Sequence, residues 1–337
     1  MTDTSLTRRA VLASLAATPF ARAASAQGAA FAGALAAARD LEQLRSIVIG
    51  RNGEVLAAEA FRGPGLERPA NIKSVSKTVV AVLTGIAIDK GHLPGVEATL
   101  GDVAPRLIPA GADPRVGDIT VADLVTMQAG LERTSGPNYG PWVSSSNWVA
   151  NALSREFIAE PGQRMLYSTG SYHILGAVLS VATGESLLTL AREWLGRPLG
   201  IDIPAWTRDP QGRYMGGNEM AISPLGLFRF GEMFRAGGIW NGTRVVSEAW
   251  VQQALTPRTR SFWSRHDYGY GWFLMTNRGH RVAYGRGYGG QMIFIVPDLN
   301  LSVAITSDPN RPARSDGHVG DLHDLMRTHI LPEAEMA

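Results

Sequence analysis

Cysteine is absent from this chain of 337 residues, and lysine occurs only three times. The lack of cysteine excludes disulfides and thiolate metal sites. Long apolar runs are missing too, since no stretch is long enough to cross a bilayer as a helix. No basic tract indicates nucleic-acid binding. Stability must therefore come from a hydrophobic core, and a chain of this length can bury a large one in one or two domains.

The scarcity of lysine makes one pattern stand out. Ser74 and Lys77 form a Ser-x-x-Lys sequence before the apolar run 78–88, which predicts a buried helix that ends near Gly91. Side chains three residues apart share a helix face, and the positive helix end favours an alkoxide. A serine activated by a neighbouring lysine is a known arrangement for acyl transfer. The alternative is a serine N-cap with a solvated lysine one turn later.

The first 26 residues have the features of a secretory signal. Two adjacent arginines, Arg8 and Arg9, precede a short apolar run, and Ala24-Ser25-Ala26 supplies the small residues of a cleavage site. An amphipathic first helix would need a polar face, which this segment lacks. The pattern predicts a signal peptide of the twin-arginine type over residues 1–26, with the mature chain beginning near Gln27 in the periplasm or the medium.

Removal of residues 1–26 would leave 29 basic and 29 acidic side chains, so the mature protein would be close to neutral. We therefore expect a small-molecule substrate, no nucleic acid, and no stable membrane insertion after signal removal. The oligomeric state is left open.

Strand-like segments occur near both ends of the chain, and residues 92–214 contain no convincing strand pair. Asn52-Gly53 between two apolar runs is a strong hairpin signal. Further strands are predicted at 270–275, 280–285, 291–296 and 301–306, and helices at 29–45, 119–125, 147–158, 172–182, 187–195 and 318–330. Short connections imply antiparallel pairing. The prediction is an α+β fold, an antiparallel β-sheet flanked by helices with an inserted mostly helical domain. Its α/β domain comprises residues 27–91 plus 215–337, and the helical domain comprises residues 92–214.

Several familiar motifs are missing or misplaced. Residues 285–290 match G-x-G-x-x-G letter for letter, but a strand follows where the dinucleotide fingerprint needs a helix. We expect the glycines instead to allow a substrate to approach the strand edge. No Gly-x-Ser-x-Gly elbow occurs, which argues against an α/β-hydrolase triad. None of the seven histidines makes His-Glu-x-x-His, so a metal site is not expected, and His173 in an apolar helix is interpreted as a core histidine.

Tyr167 is the candidate for a third catalytic group. A serine–lysine nucleophile commonly needs a partner that moves protons, and a tyrosine with a depressed pKa can fill that role. Tyr167 follows Pro161-Gly162 at a loop-to-helix junction, where a side chain can be directed into a cleft. On its own it would be interpreted as an ordinary half-buried tyrosine.

Three ordered motifs resemble those of the beta-lactamase-related serine hydrolases. They are Ser74-Val-Ser-Lys77, Glu160-Pro-Gly-Gln-Arg-Met-Leu-Tyr167-Ser-Thr169 and Gly287-Tyr-Gly-Gly-Gln291. The sequence is most similar to the class C-like branch, with its esterases and 6-aminohexanoate-dimer hydrolases, and the likeness covers nearly all of residues 40–310. The resemblance implies the beta-lactamase/transpeptidase-like fold, with the site in the cleft between sheet and helical domain. It implies no cofactor and no metal.

The resemblance also implies roles for individual residues. Ser74 would be the nucleophile, Lys77 the amine that lowers the cost of removing its proton, and Tyr167 the shared general base and acid. Backbone N–H groups of Ser74 and Gln291 would form the oxyanion hole. The substrate-binding residues would be Thr169, Tyr288, Gly289 and Gly290.

Two positions depart from the family pattern. Thr169 stands where the second motif usually carries asparagine, and Tyr288 stands where the third usually carries lysine or histidine. A neutral tyrosine offers no full charge to a substrate carboxylate, so neutral short-chain esters are expected to react better than penicillins or cephalosporins. Arg286, on the same side of a strand as Tyr288, would restore a charge if it faced the site.

The function predicted from sequence is that of an exported serine hydrolase, carboxylesterase-like, acting on an ester or amide of a small molecule through an acyl-enzyme on Ser74. A class C-like beta-lactamase or D-amino acid peptidase is the alternative within the same chemistry. A catalytically silent cell-wall binding module is the alternative outside it.

Overall fold

The computed structural model describes residues 30–336. The predicted signal peptide, residues 1–26, lies outside the described residues. Twelve strands are present in the described part: β1 (Leu44–Arg51), β2 (Glu54–Ala60), β3 (Ala70–Asn71), β4 (Ala221–Ile222), β5 (Ile239–Trp240), β6 (Thr243–Arg244), β7 (Thr259–Arg260), β8 (Asp267–Tyr268), β9 (Phe273–Asn277), β10 (His280–Gly287), β11 (Gln291–Val296) and β12 (Leu301–Ser307).

Eight of these strands form one antiparallel sheet in the order β2-β1-β12-β11-β10-β9-β8-β7. The amino-terminal hairpin β1–β2 thus pairs with the last strand of the chain, β12. Every residue of β11 and β12 is buried, and β11 is accordingly almost entirely apolar, whereas β12 also buries Ser302, Thr306 and Ser307. The other four strands form two short pairs, β3–β4 and β5–β6.

Thirteen α-helices occur in the same range of residues. They are α1 (Ala32–Asp40), α2 (Ser76–Asp89), α3 (Leu100–Val103), α4 (Val121–Val125), α5 (Tyr139–Val143), α6 (Trp148–Leu153), α7 (Thr169–Thr183), α8 (Leu187–Ala191), α9 (Arg197–Leu199), α10 (Pro224–Arg235), α11 (Glu248–Ala254), α12 (His318–Leu325) and α13 (Leu331–Met336). Two π-helical turns, Arg192–Gly196 and Met326–Ile330, connect α8 to α9 and α12 to α13.

Helix α2 is the central element of the core. Twelve of its fourteen residues are buried, because the sheet lies on one side and α7 on another. Thr78 donates a hydrogen bond of 2.8 Å to the carbonyl oxygen of Gly271, which ties the helix to the segment before β9. A Cβ atom at Gly85 would overlap the ring of Trp250 on α11, so glycine is required at that contact.

The sheet carries helices on both faces. A Cβ atom at Gly231 of α10 would lie against Ile293 and Ile295, whereas Phe294 packs against the ring of His323 on α12. Successive residues of a strand point to opposite faces, so α10 and α12 cover opposite sides of β11. The amino end of α2 faces the end of β10, and that junction is one wall of the cleft described below.

The predicted fold class is confirmed, including the hairpin at Asn52-Gly53, where both residues adopt positive φ (52° and 85°). Strands 291–296 and 301–306 are confirmed to within one residue. The prediction was wrong at several helix ends. The helix predicted over 29–45 stops at Asp40, because the chain turns and enters β1 at Leu44.

The predicted helix 147–158 stops at Leu153 because the following residues make a bridge instead. Phe157 pairs with Leu131, and the backbone N–H of Glu132 donates to the carbonyl of Glu156. At the carboxyl end, helix continues to Met336 through a π turn before Pro332. A π turn suits that position, because proline has no N–H to continue the α-helical pattern. The division into a domain of residues 27–91 plus 215–337 and a domain of residues 92–214 stays a prediction.

No single helix within residues 30–336 is both long and apolar enough to span a membrane. The helical segments Thr169–Thr183 and Leu187–Leu199, which meet at a sharp bend, have the length and composition of a membrane-spanning segment only when they are taken together.

Candidate active site

Ser74 lies in a tight turn between β3 and α2. The turn is a single 3₁₀ segment, Lys73–Val75, that runs directly into the helix. Lys73 adopts a positive φ of 49°, an uncommon conformation for a residue with a side chain. Asn71 holds this conformation by accepting the backbone N–H of Lys73 at 2.8 Å, and the hydroxyl of Ser76 donates to the Lys73 carbonyl at 2.6 Å. The strained turn therefore presents Ser74 to the cleft.

Lys77 is buried directly beneath Ser74. Its Nζ lies 3.0 Å from Ser74 Oγ, 3.3 Å from Thr169 Oγ1 and 2.7 Å from the carbonyl oxygen of Gly217. Burial lowers the pKa of Lys77, and only the neighbouring Tyr167 opposes that shift. The amine is therefore held close to the nucleophile in surroundings that favour its neutral form, which has a lone pair for a proton.

Tyr167 completes the group from the other side. The Nζ of Lys77 lies 4.9 Å from the centroid of the Tyr167 ring. Burial alone would raise the pKa of Tyr167, but the charge of Lys77, a hydrogen bond from Ser74 and the charge of Arg286 together lower it. Lys77 and Tyr167 thus both have pKa values shifted toward the range in which they exchange protons, as expected of a catalytic pair.

Thr169 lines the cleft, but its hydroxyl is already in use. Besides Lys77, it bonds the hydroxyl of Ser135 at 3.0 Å, and the backbone N–H of Thr169 donates to Ser135 Oγ at 2.9 Å. Threonine therefore orients the lysine instead of reaching outward as an asparagine amide would.

The segment Gly216–Met220 supports Lys77 and the turn that carries Ser74. The Gly217 carbonyl accepts from Lys77, and Asn218 donates to the hydroxyl of Tyr139 at 3.0 Å. Glu219 forms an ion pair of 3.0 Å with Lys73 and accepts a hydrogen bond of 2.6 Å from Asn71. The backbone N–H of Met220 donates to Ser76 at 3.2 Å. Residues before and after the nucleophile are thereby tied to one short stretch of chain.

The end of β10 forms the opposite wall. A Cβ atom at Gly287 would overlap the carbonyl oxygen of Ile72 and approach Lys73, so only glycine allows the strand to come this close to the Ser74 turn. Tyr288 and Gly289 follow and line the cleft, with Tyr288 55% exposed. Within residues 30–336, neither Ser74 nor Tyr288 uses its backbone N–H in a hydrogen bond.

Two residues predicted for the site lie elsewhere. Gln291 is fully buried, pairs with Gly287 in the β10–β11 ladder, and uses its side chain to bind the backbone of Ser307. Gly290 packs against the ring of His318, and its carbonyl accepts from Ser307. Neither lines the cleft. The turn after Gly287 is too tight to bring them forward, since the N–H of Gly290 bonds back to the carbonyl of Gly287 at 3.2 Å.

The cleft has a volume of about 860 Å³, within the usual range for a small-molecule site. Arg286 lines it, which resolves the direction of that side chain. The expected preference for neutral esters rested on the absence of a full positive charge from the cleft. Arg286 supplies such a charge, so that expectation loses its basis.

Sequence reasoning missed several lining residues, namely Lys73, Ser135, Tyr139, Asn218, Glu219 and Arg314. Their position depends on loops that meet only in the folded chain, and no short motif marks them. Lys73 and Glu219, which form an ion pair, both adopt positive φ values, and no sequence pattern predicts this backbone conformation.

His173 is a core histidine, as predicted. It is fully buried and bonds Asp209 at 3.1 Å, with the rings of Trp142 and Trp148 packed edge-on against it. In the described part of the chain, no group of three or more histidine, aspartate or glutamate side chains is placed to hold a metal ion.

Comparison with known proteins places this geometry in context. The family profile described as Beta-lactamase matches residues 16–325. A Bacillus anthracis protein described as a candidate 6-aminohexanoate-dimer hydrolase has a similar structure, with a TM-score of 0.75 and 16% identity over 88% of this chain and 80% of that one. EstCE1, a hydrolase with promiscuous acyltransferase activity, gives a TM-score of 0.74 and 19% identity over 91% and 100% of the two chains.

A candidate beta-lactamase from Bacteroides dorei gives a TM-score of 0.70 and 18% identity, over 84% of this chain and 91% of that one. A comparison with curated proteins gives no significant match. At these identities, the structural likeness shows a shared fold.

Proposed function

We propose, starting from the fact that this chain belongs to the beta-lactamase family, that it is a serine hydrolase that cleaves an ester or amide of a small molecule through an acyl-enzyme on Ser74. One observation carries the proposal: the buried Lys77 amine lies 3.0 Å from Ser74 Oγ at the base of the cleft, beside a tyrosine whose pKa is lowered. A structural role alone would not need a buried amine with a depressed pKa at that position.

Acylation begins with attack of Ser74 Oγ on the substrate carbonyl carbon. The hydroxyl proton passes to the Lys77–Tyr167 pair as the new carbon–oxygen bond forms. When the tetrahedral intermediate collapses, the bond to the leaving group breaks, and the proton is delivered to the leaving oxygen or nitrogen. The acyl group is then esterified to Ser74.

Deacylation reverses these roles with water as the nucleophile. Water loses a proton to the Lys77–Tyr167 pair and attacks the acyl carbon, the ester bond to Ser74 breaks, and Oγ recovers a proton. The product acid leaves, and the resting state is restored. No cofactor takes part in either step.

We assign the oxyanion hole to the backbone N–H groups of Ser74 and Tyr288. Both residues line the cleft, and neither N–H has a hydrogen-bond partner within residues 30–336. Donors that are already fixed by the fold cost no reorganisation when the negative charge develops. Gln291, the donor expected from sequence, has less support because its backbone belongs to the β10–β11 ladder.

The test of the mechanism is covalent labelling. A p-nitrophenyl ester of a slowly released acid should add one acyl mass to Ser74 in the wild-type protein and none to Ser74→Ala. Loss of Lys77 or Tyr167, as Lys77→Ala or Tyr167→Phe, should lower turnover on the order of 10²–10⁴-fold, as for other acid–base groups. Ser144→Ala, a serine of the loop after α5 that does not line the cleft, is the matched control. Full activity of Ser74→Ala would refute the mechanism.

The rival within the family is a beta-lactamase or D-amino acid peptidase. A parallel assay with nitrocefin and a D-alanyl amide separates these activities from ester hydrolysis by their values of kcat/KM. A binding module without catalytic activity would not be acylated by any of these reagents.

We further propose that the protein is exported, on the grounds of Arg8-Arg9 and Ala24-Ser25-Ala26. Amino-terminal sequencing of the protein from the periplasm or medium should give a chain that begins near Gln27, and an active cytosolic protein with residues 1–26 intact would contradict export.

A further inference from the structure

Arginines without acidic partners surround the cleft. Arg286 and Arg314 line it, and Arg133 lies at its rim beside Ser135 and Gly136. Among residues 30–336, none of these three arginines forms an ion pair. Unpaired guanidinium groups on the wall of a cleft attract anions.

The positive charge of these arginines is not offset by acidic side chains in the lining of the cleft. Glu219 is the one carboxylate among the lining residues, and it is already engaged by Lys73 at 3.0 Å and by Asn71 at 2.6 Å. The chain as a whole has nearly equal numbers of basic and acidic residues. The positive charge is therefore a local property of the cleft and does not reflect a generally basic protein.

Trp263 joins two of the arginines across the mouth of the cleft. The guanidinium carbon of Arg314 lies 4.9 Å from the centroid of the Trp263 ring, and that of Arg133 lies 5.6 Å from it. Arg133 belongs to the segment between α4 and α5, whereas Arg314 precedes α12, so the ring bridges two different walls. We define Arg133, Trp263 and Arg314 as the mouth cluster.

The mouth cluster has an unbalanced charge. Stacking on the indole ring stabilises each cation, but the ring does not neutralise the two charges, which repel each other. Trp263 remains 50% exposed, and the adjacent Phe262 is 71% exposed. An anionic group that bound both guanidiniums, with its hydrocarbon stem against the exposed indole, would relieve the repulsion and cover apolar surface.

We infer that the cleft selects substrates that carry a carboxylate at the end remote from the scissile carbonyl, and that the mouth cluster binds that carboxylate. Arg286 lies deeper, beside Tyr167, and adds attraction along the path. The cleft volume accommodates a chain of several carbons between the carbonyl at Ser74 and the charged end. The inference rests on the proposed hydrolase function and specifies its substrate class.

Three p-nitrophenyl esters of equal chain length test this inference. The monoester of adipic acid ends in a carboxylate, the hexanoate ends in a methyl group, and the 6-aminohexanoate ends in an ammonium. We expect kcat/KM to fall in that order, with the adipate ester preferred over the hexanoate by about tenfold or more, which corresponds to about 1.4 kcal/mol. High salt should reduce the preference, because exposed charges are screened.

Single substitutions test whether the preference for the adipate ester depends on the mouth cluster. Arg314→Gln and Trp263→Leu should each reduce the ratio of adipate to hexanoate kcat/KM several-fold. Arg106→Gln is the matched control, since Arg106 is exposed, forms no ion pair among residues 30–336 and does not line the cleft. Equal kcat/KM for adipate and hexanoate, or an equal loss of preference in Arg106→Gln, would overturn the inference.

The two proposals fail in different ways. If hexanoate and adipate esters acylate Ser74 equally, the hydrolase stands and the anion site is wrong. If no ester acylates Ser74, the hydrolase is wrong, and calorimetric titration of free adipate into Ser74→Ala decides the anion site. Binding that disappears in Ser74→Ala/Arg314→Gln supports the site, and no binding to Ser74→Ala refutes it.

Discussion

At the scale of single residues, the site depends on Lys77 and Tyr167. Both side chains are ordinarily protonated near neutral pH, and the surroundings of each lower its pKa. Burial lowers the pKa of Lys77. Burial opposes ionisation of Tyr167, but the nearby cations outweigh it and lower that pKa too. The charge of Lys77 helps to lower the pKa of Tyr167, whereas Tyr167 opposes the lowering of the Lys77 pKa, so the two groups titrate as a coupled pair. Ser74 therefore meets a base at a pH where isolated lysine and tyrosine side chains would both be protonated.

The charge of Arg286 gives a pH prediction. A cation near Tyr167 favours the phenolate, so Arg286→Gln should raise the pKa of Tyr167. The base is active when deprotonated, and activity is lost as pH falls through its pKa. The acid limb of kcat/KM for the neutral hexanoate ester should thus move to higher pH in Arg286→Gln and stay in place in Arg286→Lys. An unchanged limb in Arg286→Gln would show that the charge does not reach the tyrosine.

At the scale of elements, the decisive contact is between the Ser74 turn and the end of β10. Gly287 sits where the strand touches the backbone at Ile72, and a methyl group there has no space. The neighbour is backbone and is fixed by the β3–β4 pair, so it cannot move aside as a flexible side chain would. The strand and the turn are accordingly positioned by each other.

Gly287→Ala should for this reason cut activity while the protein still folds. We expect a loss of at least tenfold in kcat/KM, since a displacement of about 1 Å at a reacting group can cost on the order of 100-fold. Gly320→Ala, on α12 with open space at its Cβ position, is the control and should leave both activity and the unfolding midpoint near wild type. Near-normal activity in Gly287→Ala would mean that the strand edge is not part of the catalytic geometry.

The elements also show what could be predicted from the sequence. The hairpin followed from Asn52-Gly53 because only a few residues tolerate positive φ at both turn positions. Helix α2 and strand β11 followed from apolar runs that have no polar face to place in water. That the two ends of the chain share one domain, and that Ser74, Lys77 and Tyr167 form one site, was predicted by combining such local signals with the family resemblance, whereas the direct pairing of β1 with β12 was not predicted.

What could not be predicted depends on distant loops. Arg314 and Glu219 reach the cleft from segments far along the chain from Ser74, and no local pattern determines where such loops come together. Gln291 was assigned to the oxyanion hole from its motif, but the two glycines before it turn the chain so that Tyr288 lines the cleft instead. The tight turn determines which residue's backbone lines the cleft, here three positions before Gln291, and the sequence does not encode that choice in a recognisable form.

At the scale of the whole molecule, four buried or half-buried histidines are distributed across the structure. His173 lies on α7 and packs against α6, whereas His318 and His323 lie on α12 and His266 lies beside the sheet, in contact with His323. Burial lowers the pKa of all four, and that of His323 falls to about 4. Each is thus neutral in the folded protein at a pH where it would carry a proton in the unfolded chain.

These shifts predict that the protein loses stability on mild acidification. A histidine whose pKa is lower in the folded state makes the unfolded chain bind more protons below pH 6.5, so the free energy of unfolding falls as pH falls through that value. The midpoint of urea unfolding should be clearly lower at pH 5.0 than at pH 7.5. His323→Phe, which keeps a ring among Tyr284 and Phe294 but does not titrate, should shrink the difference. Equal midpoints at the two pH values would show that the buried histidines are protonated in the folded protein and that their burial does not oppose the charge.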